Sequence, residues 1–147
     1  MNVPWPGGAK ADPKGIGFRF EDRAHAEGVD DPNAGMGVAS GDYTGDGRPD
    51  LFITNSRDQQ HAAFASQATA GAATSFTSAR SVFAAALGRR VTVGWGASWI
   101  DLDNDRNLDL VLANGAIPVT NLKKDTQPIQ VLENLAGNGE PGQIEIL

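Results

Sequence analysis

Two stretches decide the reading: residues 35–56, GMGVASGDYTGDGRPDLFITNS, and residues 94–115, GWGASWIDLDNDRNLDLVLANG. They align without a gap. Gly35/Gly94, Gly37/Gly96, Asp42/Asp101, Asp46/Asp105, Asp50/Asp109, Leu51/Leu110 and Asn55/Asn114 are identical pairs. An internal repeat of this kind marks a chain built from copies of one supersecondary unit. What recurs is mostly Gly, Asp and Asn, which points to backbone geometry and ligands, not to core packing. Each copy has a short segment before the aspartates (Met36 to Ser40; Trp95 to Ile100) and an apolar alternating segment after them (Leu51, Ile53; Leu110, Leu112). Alternation of this type reads as a strand with one buried face. The unit is therefore strand, acidic loop, strand.

Further strands are expected at Gly17 to Glu21, Ser75 to Thr77, Ile129 to Leu132 and Ile144 to Ile146. His61 to Ala73 is Ala-rich and reads either as a strand with a loop or as a short helix. Residues 1–16, rich in Gly, Pro and Lys, read as an irregular lead-in. Asp22 to Glu27 reads as one helical turn ended by Gly28. A repeat of roughly 60 residues holding about four short strands suits a propeller blade. The expected fold is all-β. It has two antiparallel propeller-type blades with Asp-rich calcium loops, repeat 1 over about 35–80 and repeat 2 over about 94–147 of a region spanning 17–147.

The loops carry the chemistry. Asp42, Thr44, Asp46 and Asp50 stand at positions 1, 3, 5 and 9 of the first, and Asp101, Asp103, Asp105 and Asp109 at those of the second. Calcium takes about 6 to 8 hard oxygen ligands. Alternate residues of a tight loop can turn oxygens inward, and position 7, Arg48 or Asn107, supplies a backbone carbonyl. Carboxylates crowded this closely repel one another unless a cation screens them. A solvated Asp/Asn/Gly turn needs no ion, but two copies at matched spacing favour one calcium ion in each loop, two in all. Gly47 occupies position 6, where a sharp turn often needs positive φ, and its counterpart is Arg106, for which that conformation is costly. Magnesium suits fewer protein ligands, and an all-oxygen set disfavours zinc.

Composition narrows the function classes. The chain has 147 residues, 18 acidic against 12 basic, and a net charge of −6. Such a chain is a poor nucleic-acid binder, because phosphate contacts need clustered Lys and Arg. Arg89 and Arg90 are adjacent, but two residues make no patch. The absence of cysteine excludes disulfides and thiolate chemistry. No apolar run reaches the roughly 18 residues of a membrane span, so no integral membrane protein is expected. The first residues, Met1 to Pro6, lack a signal-peptide pattern.

His25 and His61 stand alone and read as surface or satisfied histidines. Ser40 and Ser98 lack a nucleophile elbow. Glycosidase carboxylates normally sit on different elements with divergent pKa values, whereas these cluster in one loop as ligands do. The expectation is therefore a protein without catalysis. Trp95 and Trp99 read as blade-core residues. With Trp5 they could instead stack on a sugar, which keeps a carbohydrate-binding or carbohydrate-active domain as the alternative.

At these residues the chain resembles the FG-GAP/VCBS repeat family of integrin-α-like propeller blades. The repeats, with FRFEDRAHAEGV before them and IQVLENLAGNG after, look like propellers found with ASPIC/UnbV domains. The resemblance implies a seven-bladed extracellular or periplasmic propeller with calcium in its inter-strand loops, used in adhesion or protein assembly. The ligand roles carry over to Asp42, Thr44, Asp46, Asp50, Asp101, Asp103, Asp105 and Asp109. Two acidic loops are too few for a closed propeller, so the expected partners are other protein chains or further blades, with a glycan as a possible ligand.

Overall fold

The computed structural model describes residues 2–68, 75–87, 92–136 and 144–146. Eight of its strands form two four-stranded antiparallel meanders, and the all-β expectation holds. The first sheet runs in the order β3 (Gly35–Gly41), β4 (Asp50–Asn55), β5 (Ala62–Gln67), β6 (Ser75–Ser78). The second repeats it with β7 (Gly94–Ile100), β8 (Asp109–Asn114), β9 (Gln130–Asn134) and β10 (Ile144–Ile146). Each acidic loop is the hairpin connection between the first two strands of its sheet. Both of those hairpins shift register at the same place, between Gly35 and Gly37 and between Gly94 and Gly96. The sequence repeat is thus a repeat of backbone, bulge included.

Alternation sorts the side chains, but differently in the two sheets. On β8 the expected Leu110 and Leu112 are fully buried, whereas on β4 it is Phe52 that is fully buried and Leu51 and Ile53 that stay half-buried, because the two sheets meet through opposite faces. Phe52, Leu110 and Leu112 belong to one core, together with Ala39, Tyr43, Ala63, Phe83 and Leu132, which sits between the two sheets. The innermost strands β3 and β7 lie side by side. Gly37 makes this possible: a Cβ there would lie 2.7 Å from the carbonyl oxygen of Trp95 and 3.3 Å from Cα of Gly96. Trp99 fills the space between the sheets, stacked on Tyr43 with ring centroids 5.2 Å apart and planes at 11°.

Of the two readings of His61 to Ala73, the structure takes the strand, β5; residues 69–74 lie outside the described residues. The structure departs from the sequence reading in two places. Asn2–Pro4 (β1) pairs antiparallel with Phe18–Phe20 (β2), so the lead-in is not wholly irregular. A helix, α2, spans Arg80–Leu87 where no element was expected. Its Phe83 inserts between the sheets, edge-on to Tyr43, Phe52 and Trp99 with centroids 5.2–6.0 Å away. The expected helical turn is present as α1 (Ala24–Glu27), closed by Gly28 in the left-handed conformation at φ 77°. Arg89 and Arg90 lie outside the described residues.

The two histidines have opposite environments. His61 Nδ1 accepts the backbone N–H of Asn55 at 3.0 Å, and the ring packs edge-on to Phe52. Burial holds its pKa below the usual 6.5. Exposed His25 pairs with Asp30 at 2.7 Å, and that hydrogen bond, reinforced by Asp30's charge, raises its pKa.

Two outcomes follow from these contacts. Gly37→Ala should cost about 2 kcal/mol, within the range of overpacked sites. Gly96→Ala, whose Cβ would meet only Ala113 Cβ at 4.0 Å, should stay within about 0.5 kcal/mol; urea unfolding of both variants measures the contrast. The second outcome concerns pH. His61 is held neutral in the fold while the unfolded chain protonates first, so its contribution is complete above pH 6.5. It should diminish as pH falls below that value toward the folded pKa. His61→Gln should flatten the stability curve in this window. His25 has the opposite sign, its contribution being lost as pH rises through its raised pKa, and its exposure makes the term small.

Candidate metal centre

Both acidic loops are built on the same internal scaffold. In the first, Asp42 Oδ1 accepts the N–H of Asp46 at 3.0 Å and Oδ2 that of Gly47 at 2.7 Å. In the second, Asp101 Oδ1 accepts from Asp105 N at 3.1 Å and Oδ2 from Arg106 N at 3.1 Å. The position-1 aspartate therefore folds its own loop, as short polar side chains do in turns. The position-5 aspartate repeats the device two residues on. Asp46 Oδ1 accepts from Arg48 N at 2.9 Å, and Asp105 Oδ1 from Asn107 N at 2.8 Å. Asp46 is also ion-paired with the Arg48 guanidinium. The backbone N–H of Asn107, helped by its side-chain amide, holds Asp105 below the usual carboxylate pKa.

The position-9 aspartates are of another kind. Asp50 is fully buried and Asp109 only 2% exposed. Asp50 Oδ1 accepts the N–H of Ser66 on β5 at 2.8 Å; its Oδ2 accepts from Thr44 N at 3.2 Å and Thr44 Oγ1 at 3.1 Å. Asp109 Oδ1 accepts the N–H of Asn134 on β9 at 2.9 Å, and Oδ2 that of Leu102 at 2.9 Å. Each of these carboxylates ties its loop to the third strand of its own sheet.

Among the described residues, Asp101, Asp103 and Asp105 form the one group of three acidic side chains that can each offer an oxygen within 4.8 Å of those of the other two. Asp101 is half-buried and the other two exposed. Asp42, Thr44 and Asp46 occupy the equivalent positions in the first loop, with Thr44 Oγ1 3.4 Å from Asp42 Oδ1. The donor set is all oxygen, as a hard cation requires. It fits calcium on that ground and on the clustering of like charges.

Residues at positions 4 and 6 give the loops their turn. Gly45 and Gly47 have φ of 73° and 83°; Asn104 and Arg106 have 63° and 77°. Asn tolerates this region, but Arg pays for it in strain. The loop geometry overrides the preference of the side chain, so the missing glycine does not change the second loop's backbone.

Two residues the sequence reading passed over connect the first loop to the second sheet. Tyr43, at position 2, is buried against Trp99 and Phe83. Burial, with the nearby charge of Asp50, pushes its phenol up to about 12. Its carbonyl accepts from Asn134 Nδ2 at 2.9 Å, and the same amide reaches Leu108 O at 3.3 Å. An aromatic between two loop ligands was the available signal. Trp99 belongs to the core, whereas Trp95 is half exposed with its Nε1 donating to Gly115 O at 3.2 Å.

Residues 34–75 match the FG-GAP repeat. No curated protein and no solved structure matches the chain.

The strain at position 6 is measurable. Arg106→Gly should stabilise the protein by about 0.5–1 kcal/mol, and Gly47→Ala, with open space around its Cβ, should destabilise it by about 1 kcal/mol. Denaturant unfolding checks both; equal effects of the same sign would refute the account of the turn.

Proposed function

We propose that this protein is a calcium-stabilised structural and interaction module, with two propeller-type blades over about 35–80 and 94–147. It serves an extracellular or periplasmic assembly as an adhesion, scaffold or accessory unit, and has no catalysis of its own. The observation that carries this reading is the recurrence, in two loops, of the same carboxylate scaffold down to the oxygen and the N–H it accepts. Position 6 keeps the same left-handed turn even with arginine there. A turn that served only to reverse the chain would need neither the acidic cluster nor the strain.

In this reading Asp42, Thr44, Asp46 and Asp50, with the carbonyl of Arg48, hold one ion. Asp101, Asp103, Asp105 and Asp109, with the carbonyl of Asn107, hold the other. The ion supplies charge neutralisation and a cross-link. The chain's own residues pre-position the oxygens, and Tyr43 transmits the order of the first loop to the second sheet. The FG-GAP match supports an interaction role, since such repeats are in general non-catalytic. Among the described residues no helix is long and apolar enough to cross a membrane. A glycan-stacking platform finds less support, because the core takes Trp99 and leaves Trp95 as the exposed partner of that pair.

Thermal unfolding in calcium and in chelator tests the proposal. A site saturated a hundredfold above its Kd adds about 2.7 kcal/mol. Asp46→Asn and Asp103→Asn should each remove one site's share while leaving the melting temperature in chelator nearly unchanged. Magnesium should shift melting less than calcium. A wild-type melting temperature indifferent to calcium would defeat the reading.

A further inference from the structure

The two sheets meet front to back, and the repeat lets that contact be read position by position. Toward the second sheet the first presents Ala39, Gly41, Tyr43, Phe52 and Ala63. The strand registers match these to Ser98, Ile100, Leu102, Val111 and Val131. In the first sheet the face is sealed: Tyr43 is 8% exposed and Phe52 fully buried. In the second it is open. Ile100 and Leu102 are each 45% exposed, Ser98 is exposed, and Val111 and Val131 are half-buried.

A separate observation comes from Gly96. Its counterpart Gly37 must be glycine because the neighbouring backbone comes within 2.7 Å of its Cβ position. Gly96 has no such neighbour: a Cβ there would meet only Ala113 Cβ at 4.0 Å, and its φ lies outside the region that favours glycine. Glycine weakens a strand, and inside one it often marks close approach of another backbone. The internal contact at Gly37 shows which kind of backbone that is: the innermost strand of a like sheet.

We propose that the open face of the second sheet, centred on Gly96, Ile100, Leu102, Val111 and Val131, docks the front of the first sheet of a second copy of this chain. The complementary surface is on the molecule. Val38 is 64% exposed, and Leu51 and Ile53 are half-buried. They are the equivalents of Ala97, Leu110 and Leu112, which pack the second sheet on the first. Residues Ala24, Val29 and Asn33 flank Ile53, so docking falls over the inner strand around Val38. A contact that joins two different faces in this way is heterologous, and it closes into a ring or extends as a chain of copies. The inference rests on the blade reading above, but not on the ion.

Sedimentation velocity of the full chain over a concentration series, in calcium and in chelator, tests it. The mass should rise with concentration in multiples of 15.4 kDa. Gly96→Val and Val38→Arg should each weaken association about tenfold or more, with far-UV circular dichroism and monomer melting unchanged. Mixed together, the two variants should form a dimer, because one keeps the front and the other the back. A wild type that stays monomeric at every concentration, or a mixture that fails to pair, overturns the proposal. Assembly that is the same in calcium and chelator upholds it, since the contact does not depend on the ion.

Discussion

Asp50 and Asp109 are buried carboxylates, and the geometry of each loop depends on how their charge is satisfied. A buried carboxylate without partners is strongly destabilising. Each here accepts a backbone N–H from the third strand of its sheet and another from the start of its own loop. One side chain thus fixes the hairpin, the loop and the neighbouring strand together. The aspartates at positions 1 and 5 of both loops, with Asp103 at position 3, are arranged upon that fixed frame. Their oxygens are held in place by loop N–H groups, so the loop itself supplies ordering that the binding of a cation would otherwise have to supply.

The same frame couples the loop to the packing of the sheets. Tyr43 leaves the first loop between Asp42 and Thr44 and enters the core against Trp99. Its carbonyl is gripped by Asn134, whose backbone N–H is already bound to Asp109. The two position-9 aspartates and the inter-sheet core therefore form one connected network. Order in a loop is not a local matter in this molecule.

The repeated Asp, Gly and Asn positions were legible because they answer to geometry that a single chain displays twice. The loop hairpins follow from that alignment, whereas the register and the bulges at Gly35/Gly37 and Gly94/Gly96 emerge only in the structure. Strand β9 was visible through its alternation. Helix α2 was not, because among the described residues its eight positions bring only Val82 and Phe83, adjacent in sequence, to the core, too short a pattern to show a helical period. The pairing of Asn2–Pro4 was hidden by prolines that suggest irregular chain. That the position-9 aspartates are also buried and bound to the third strand could not be read, since spacing alone cannot report burial or the N–H groups of a strand 16 or 25 residues away. Arg106 argued against a left-handed turn, yet the scaffold imposed it.

Calcium is the claim on which the functional account stands, and counting ions tests it most directly. Native mass spectrometry of the chain, equilibrated with calcium and then with chelator, reads the stoichiometry without reference to stability. Two calcium ions on each chain, both lost to the chelator, is the predicted result. A chain that carries none in excess calcium would contradict it, and would leave the acidic loops as solvated turns.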